Sequence, residues 1–286
     1  MKLIYLFMIV WLASYPKSGN TWVRIFLSTL LYSNKKPEVD INEKHLKQFP
    51  TMKDFEKLTS DFSKLDEIAK NCITAQDMIN LVSGIKFYKT HSANWKNIEK
   101  NYYFTNYENS LGVIYIVRDP RNVITSILDY YNKENYQSAL DFITDRGRVI
   151  TGSSPGSKMQ EIILSWADHY NSWKLFKKNY LLIKYENLLS NPEEEFFKIT
   201  NFLTTIGNYK FNENEILEII KKCKFEEFSK QEEVKGFTDN PLRNRKLNKK
   251  FFKLGPKNNW KNLLEPKIQL NIEKAFQKEM KELGYL

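Results

Sequence analysis

Ala-Ser-Tyr-Pro-Lys-Ser-Gly-Asn-Thr-Trp, residues 13–22, follows the apolar run Ile9-Val10-Trp11-Leu12 and leads into a segment with Val23, Phe26, Leu27 and Leu30 on one helical face. The reading is a buried strand over 9–15, a turn containing Gly19, and a helix over Thr21 to Tyr32. Such a turn aims several backbone N–H groups at one point, with the helix dipole behind them. Gly19 lets the backbone approach an anion closely, Ser18, Asn20 and Thr21 add donors, and Lys17 adds a point charge. The Gly-Lys-Ser/Thr of the common nucleotide-binding loop is absent. An ordinary strand-to-helix turn with a surface lysine is the bland alternative.

The rest of the chain continues the alternation of strand and helix. Residues 41–82 read as amphipathic helical pieces interrupted near Pro50, and Gly84–Ser92 as a second short strand. The clearest strand is 111–120, whose core Val113 to Val117 has no polar interruption, as in a parallel sheet covered on both faces. Asp119-Pro120 then supplies a helix cap and a first-turn proline. Residues 145–157, with three Gly, four Ser/Thr and a Pro, read as a mobile loop, and a long helix is expected over about 158–177. A strand over 180–189 precedes helices at 192 onward, 213–222 and 266–283. No repeat or long linker splits the chain, so residues 1–286 read as a single α/β domain with a central parallel sheet flanked by helices.

The chain of 286 residues carries a net charge of +10, which suits an anionic ligand, nucleic acid or an acidic surface, or else a solvated basic face. Cys72 and Cys223, far apart, form neither a disulfide framework nor a metal site. His45, His91 and His169 lack paired spacing. The expectation is a reducing, cytoplasmic setting without a metal. The apolar start is too short to span a bilayer and could pass for a secretory signal. Its removal would cost the strand that presents the loop, so a buried first strand is preferred and stable membrane insertion is not expected. Initiation at Met8 would leave the loop intact.

A second stretch, Val-Arg-Asp-Pro-Arg-Asn-Val-Ile-Thr-Ser (117–126), places Arg118 just past the end of the apolar strand, where ligands of open α/β sheets gather. Its forked guanidinium suits a second phosphate. Together the two stretches resemble those of the PAPS-dependent sulfotransferase family, whose donor is 3′-phosphoadenosine 5′-phosphosulfate (PAPS). Residues 15–22 are similar to that family's 5′-phosphosulfate loop, with Asn20 where Thr is usual. Arg118 and Ser126, eight residues on, are similar to its 3′-phosphate site. The resemblance runs from residue 9 to the C-terminus and implies an α/β sandwich around a parallel sheet.

It also implies roles. Phe-Tyr-Lys-Thr-His-Ser (87–92) makes His91 the general base and Lys89 a partner of the transferring sulfuryl group. Lys17 stabilises the leaving 5′-phosphate oxygen. Trp22, Phe225 and Tyr185 match the adenine pocket. Residues 252–262 resemble the C-terminal 3′-phosphate motif and put Lys253 and Gly255 at the donor. There Lys253 and Leu254 replace Arg and Lys, and Asn258-Asn259 replaces Gly-Asp. Residues 240–264 hold eight Lys/Arg and no acid, so neighbouring bases can compensate. His169 and His45 read as packing and surface.

The implied reaction moves a sulfuryl group from PAPS to a hydroxyl or amine by in-line displacement and leaves adenosine 3′,5′-bisphosphate (PAP). Positioning and charge stabilisation carry most of the rate. A phosphate-loop kinase or NTPase is the first rival, with Asp119 as its only candidate for holding Mg²⁺. A nucleic-acid-binding module is the second, and the core spacing of the aromatics speaks against it. Residues 35–82 and 132–157 are expected to form the mouth for a small-molecule or glycan acceptor. Glu265-Pro266 and Gln269 depart from the family's dimer motif, which is not carried over.

Overall fold

Every side chain of β1 (Ile9–Ser14) is buried, and this strand sits at the centre of the protein. The computed structural model describes residues 8–32, 38–42, 45–151, 159–239 and 250–286. After β1 come α1 (Asn20–Tyr32), β2 (Lys47–Gln48), α2 (Met52–Phe55), α3 (Leu65–Asn80), β3 (Lys86–Thr90), β4 (Lys96–Asn97), β5 (Tyr102–Tyr103) and β6 (Ser110–Val117). The second half runs α4 (Pro120–Tyr130), α5 (Tyr136–Thr144), β7 (Val149–Thr151), β8 (Gln160–Ile162), α6 (Trp166–Lys174), β9 (Tyr180–Lys184), α7 (Tyr185–Ser190) and α8 (Pro192–Gly207). It closes with α9 (Glu213–Lys222), α10 (Phe225–Lys235), α11 (Trp260–Leu263), α12 (Pro266–Ala275) and α13 (Gln277–Glu282).

The main sheet has five parallel strands in the order β2-β3-β1-β6-β9. Alternate residues of β1 enter different cores. Ile9, Trp11 and Ala13 join Tyr115, Val117 and Trp166 on one face, whereas Val10 and Leu12 join Phe26, Ile114, Ile116 and Phe196 on the other. Burial on both faces explains the unbroken apolar runs of β1 and β6. The chain leaves β1 for β3 on one side and reaches β6 on the other, so a topological switch point lies at the C-terminal end of β1. The register aligns the strand ends there: Ala13 with Thr90 and Tyr115, Val117 with Lys184. The loop after Ser14, His91, Arg118 and Tyr185 therefore emerge along one edge, where ligands of such sheets bind.

Several expected elements differ. The long helix over 158–177 is instead a hairpin strand and a shorter helix. Met159, Glu161 and Ile163 are buried while Gln160 and Ile162 are only partly so, a period-two pattern, and β8 pairs antiparallel with β7. The helix waits for Ser165, whose hydroxyl accepts from the Asp168 N–H at 3.1 Å. Part of the expected mobile loop is thus β7, and residues 152–158 lie outside the described residues. The strand expected over 180–189 stops at Lys184, after which Tyr185 and Leu188 bury one side of α7. The terminal helix is two, separated at Phe276, which packs against Trp166 at 5.1 Å. Residues 41–82 contain β2 between their helices. Helices α5 and α10 were not expected. As expected, Asp119 caps α4, its Oδ1 accepting from the Arg121 N–H at 2.9 Å. Among the described residues, no helix is long and apolar enough to cross a membrane.

Candidate active site

The loop between β1 and α1 holds two residues in left-handed backbone, Lys17 at φ 68° and Gly19 at φ 101°. Gly19 is needed twice over, because a methyl group there would lie 2.4 Å from the Tyr185 ring. Lys17 carries a side chain in a conformation that costs about 1–2 kcal/mol. Asn20 anchors the loop: its amide donates to Leu12 O at 3.1 Å and to Ser14 Oγ at 3.2 Å, so that group serves β1, and among the described residues only Oδ1 lacks a partner. Ser18 is fully buried, and its Oγ likewise has none.

Arg118, 6% exposed, lies across this loop. Its Nη1 donates to Lys17 O at 3.0 Å and to Ser126 Oγ at 3.4 Å, and its guanidinium stacks 4.2 Å above the Tyr185 ring. Among the described residues its Nε has no partner. The Lys17 ammonium sits 4.2 Å from the centre of the Tyr130 ring and 4.0 Å from that of Phe251. Burial, and then the nearby Arg118 charge, pull the Lys17 pKa down to about 7, against a weaker opposing pull from Asp129 and Glu232. Arg118 thus bonds the backbone of Lys17, and both side chains line the same cavity.

At the end of β3, His91 Nδ1 is 2.9 Å from Ser14 O. A carbonyl oxygen only accepts, so Nδ1 carries the proton and Nε2 keeps its lone pair. Burial first, then neighbouring Lys89, lower the His91 pKa to about 3, which keeps the ring neutral. Behind it His169, fully buried, donates from Nε2 to His91 O at 3.0 Å and accepts at Nδ1 from the Tyr115 hydroxyl at 2.8 Å. His169 thus holds the backbone that carries His91.

Aromatic rings build the third wall. Trp22 meets Tyr185 edge-on at 6.2 Å, and Phe225 packs so closely on Gly255 that a methyl group there would come within 2.4 Å of its ring. The expected residues Lys17, Gly19, Asn20, Thr21, Trp22, Lys89, His91, Arg118, Ser126, Tyr185, Phe225, Lys253 and Gly255 all line one cavity. Ser18 lies behind its wall. Lys253 is half exposed at the rim, its Nζ 2.9 Å from Asp129 Oδ2. Sequence reasoning missed three contributors. Asn258 donates to Ser126 Oγ at 2.9 Å and accepts from Thr125 Oγ1 at 2.7 Å. Tyr130 and Phe251 flank Lys17. Asn258 had a signal, since it stands where the resembled motif carries Gly. The two rings had none.

A loop opening a helix at the switch point of a parallel sheet, with paired cations and orphaned buried donors, defines a phosphate-loop-type group-transfer fold. Residues 9–284 match the sequence model of the sulfotransferase domain, and the chain belongs to that family and is a sulfotransferase. A rabbit amine sulfotransferase is 22% identical over 96% of this chain and 81% of its own length. A flavonol 3-sulfotransferase of Flaveria bidentis is 24% identical over 96% of this chain and 82% of its own. Among solved structures, a mouse sulfotransferase complexed with PAP aligns over 96% of this chain and 85% of its own, at TM-score 0.60 and 20% identity, showing the same fold.

Proposed function

We propose that this sulfotransferase binds PAPS in the cavity at the end of β1 and that His91 accepts the proton of an acceptor hydroxyl or amine. The observation that carries the reading is the unbalanced chemistry of the cavity. No ion pair among the described residues involves Lys17 or Arg118, their charges disfavour one another, and Arg118 Nε is buried without a partner there. Anionic oxygens bound in the cavity satisfy both cations. The donor supplies the activated sulfuryl group. The α1 N-terminus and Lys17 hold its 5′ end, Arg118 and Ser126 its 3′-phosphate, and Trp22, Tyr185 and Phe225 the adenine. Lys253 enters the 3′ side only by leaving Asp129, and Asn258 orients Ser126.

During transfer, the Lys17 ammonium stabilises charge on the oxygen that leaves, and Lys89 steadies the sulfuryl oxygens. His91 is already in the tautomer the step needs, since Nδ1 is tied to Ser14 O and Nε2 is the acceptor. The kinase reading finds no support in Asp119. Both its oxygens bond the Arg121 side chain, and Oδ1 also caps α4. The acceptor is a small molecule or glycan, and the working compartment is the reducing cytoplasm. Both buried free cysteines fit it, as do relatives named cytosolic sulfotransferases in Arabidopsis and zebrafish. The test is sulfuryl transfer from labelled PAPS to a panel of phenols, amines and sugars. The expected result is at least one labelled product with matching release of PAP. Failure of PAP to bind the purified protein contradicts the reading.

A further inference from the structure

The Lys17 ammonium is held by two ring faces that no part of the proposed chemistry requires. Tyr130 comes from the last turn of α4, and Phe251 from the segment following the undescribed residues 240–249. The rings stand nearly perpendicular, 80° apart with centroids at 6.1 Å, and the ammonium lies about 4 Å from both. Phe251 is fixed from behind. Its N–H and that of Phe252 donate to the two carboxylate oxygens of Glu232, each at 2.8 Å, and Glu232 is 9% exposed in α10. Across the cavity, Lys17 faces the Arg118 charge from the end of β6, while Asp129 on α4 and Glu232 on α10 are the acids that face it. The Lys89 and His91 side chains close the β3 side. Among the described residues, no ion pair competes with the rings for the ammonium.

We infer that Tyr130 and Phe251 are positioning residues that clamp the Lys17 ammonium in the donor-free enzyme and yield it to the donor's 5′ oxygens. Donor exchange is then a swap of ring faces for anionic oxygens. The inference rests on the assignment of Lys17 to the donor's 5′ end. A clamp that stabilises the free state opposes ligand binding and favours product release. Removing a ring therefore tightens PAP binding, by about two- to thirtyfold per ring, the fold-change that corresponds to one cation–π contact. The effect requires the ammonium, so it vanishes when Lys17 is absent.

The experiment is a double-mutant cycle read by calorimetric titration of PAP. Tyr130→Leu and Phe251→Leu are each measured alone and combined with Lys17→Ala, with Phe251→Trp as the conservative variant. The expected outcome is a lower PAP Kd for each Leu variant, no change of Kd when either is added to Lys17→Ala, and a Kd for Phe251→Trp at or above that of the unmodified protein. Equal effects with and without Lys17, or weaker binding in both Leu variants, overturn the clamp. If one Leu variant fails to fold, the cycle on the other ring decides between these outcomes by itself. PAP binding that depends on Lys17 but not on the rings sinks only this inference. Absence of PAP binding in the unmodified protein sinks the donor assignment with it.

Discussion

Arg118 and Arg121 stand three residues apart across the junction of β6 and α4, are equally buried, and have opposite surroundings. Arg121 is saturated. It bonds both oxygens of Asp119, donates to Glu273 Oε1 and Tyr285 O at 2.7 Å, and stacks 4.0 Å above Trp260. Arg118 meets a backbone carbonyl, a hydroxyl at 3.4 Å and an aromatic face, but among the described residues no carboxylate pairs with it. The histidines repeat the contrast. His169 uses both ring nitrogens inside the core, while His91 uses one and presents the other. Completeness of partners separates framework from site where residue type and burial do not.

The largest test of that contrast is on the histidines. His91→Ala is expected to lower kcat about a hundred- to ten-thousandfold while PAP affinity stays within about twofold, measured by steady-state rates and calorimetry. His169→Ala leaves the Tyr115 hydroxyl and His91 O unpaired, each costing about 1–3 kcal/mol, and the loss appears first in thermal unfolding. The arginines come next. Arg118→Ala weakens PAP binding roughly thirty- to several-thousandfold, the cost of truncating one partner of a buried charge contact, with little change in Tm. Arg121→Ala does the reverse. It strands Asp119 and Glu273, costs about 3–5 kcal/mol, and lowers Tm on the order of 10 °C.

A pH series sharpens the comparison further. The Lys17 pKa is about 7 in the free protein, below the ordinary 10.5, and an anionic ligand raises it in the complex. Binding therefore takes up protons above pH 7. The Lys17 contribution to PAP affinity is full below pH 7 and falls by up to about tenfold per unit above it, until the complex itself titrates. Calorimetry in buffers of different ionisation enthalpy reads the uptake directly, and Lys17→Ala abolishes it. The smallest effect expected is that of Asn258→Ala. It removes one hydrogen bond to Ser126 and weakens PAP binding by a few-fold, from about 0.5–1.5 kcal/mol.

The central strands were legible because β1 and β6 are covered on both faces and carry their signal in consecutive residues. The hairpin of β7 and β8 was not. Its buried members include Glu161, a carboxylate that accepts from Gln48 Nε2 at 2.9 Å, so the apolar alternation is broken where the structure needs it. Helix α10 was hidden in the same way by Glu232, whose burial makes sense only beside the N–H groups of Phe251 and Phe252. The candidate site was legible wherever chain neighbours build it, as in the loop from Tyr15 to Trp22. What joins distant segments was not. Asn258 against Ser126 and Phe251 over Lys17 are facts of tertiary contact, and no local spacing encodes them.

The most direct measurement compares PAP with adenosine 5′-monophosphate, which lacks the 3′-phosphate, by calorimetry on the unmodified protein and on Arg118→Ala. Assignment of Arg118 to the 3′-phosphate predicts that losing the 3′ group costs at least about thirtyfold in the unmodified protein and almost nothing once Arg118 is gone. Equal affinities of the unmodified protein for the two nucleotides contradict it.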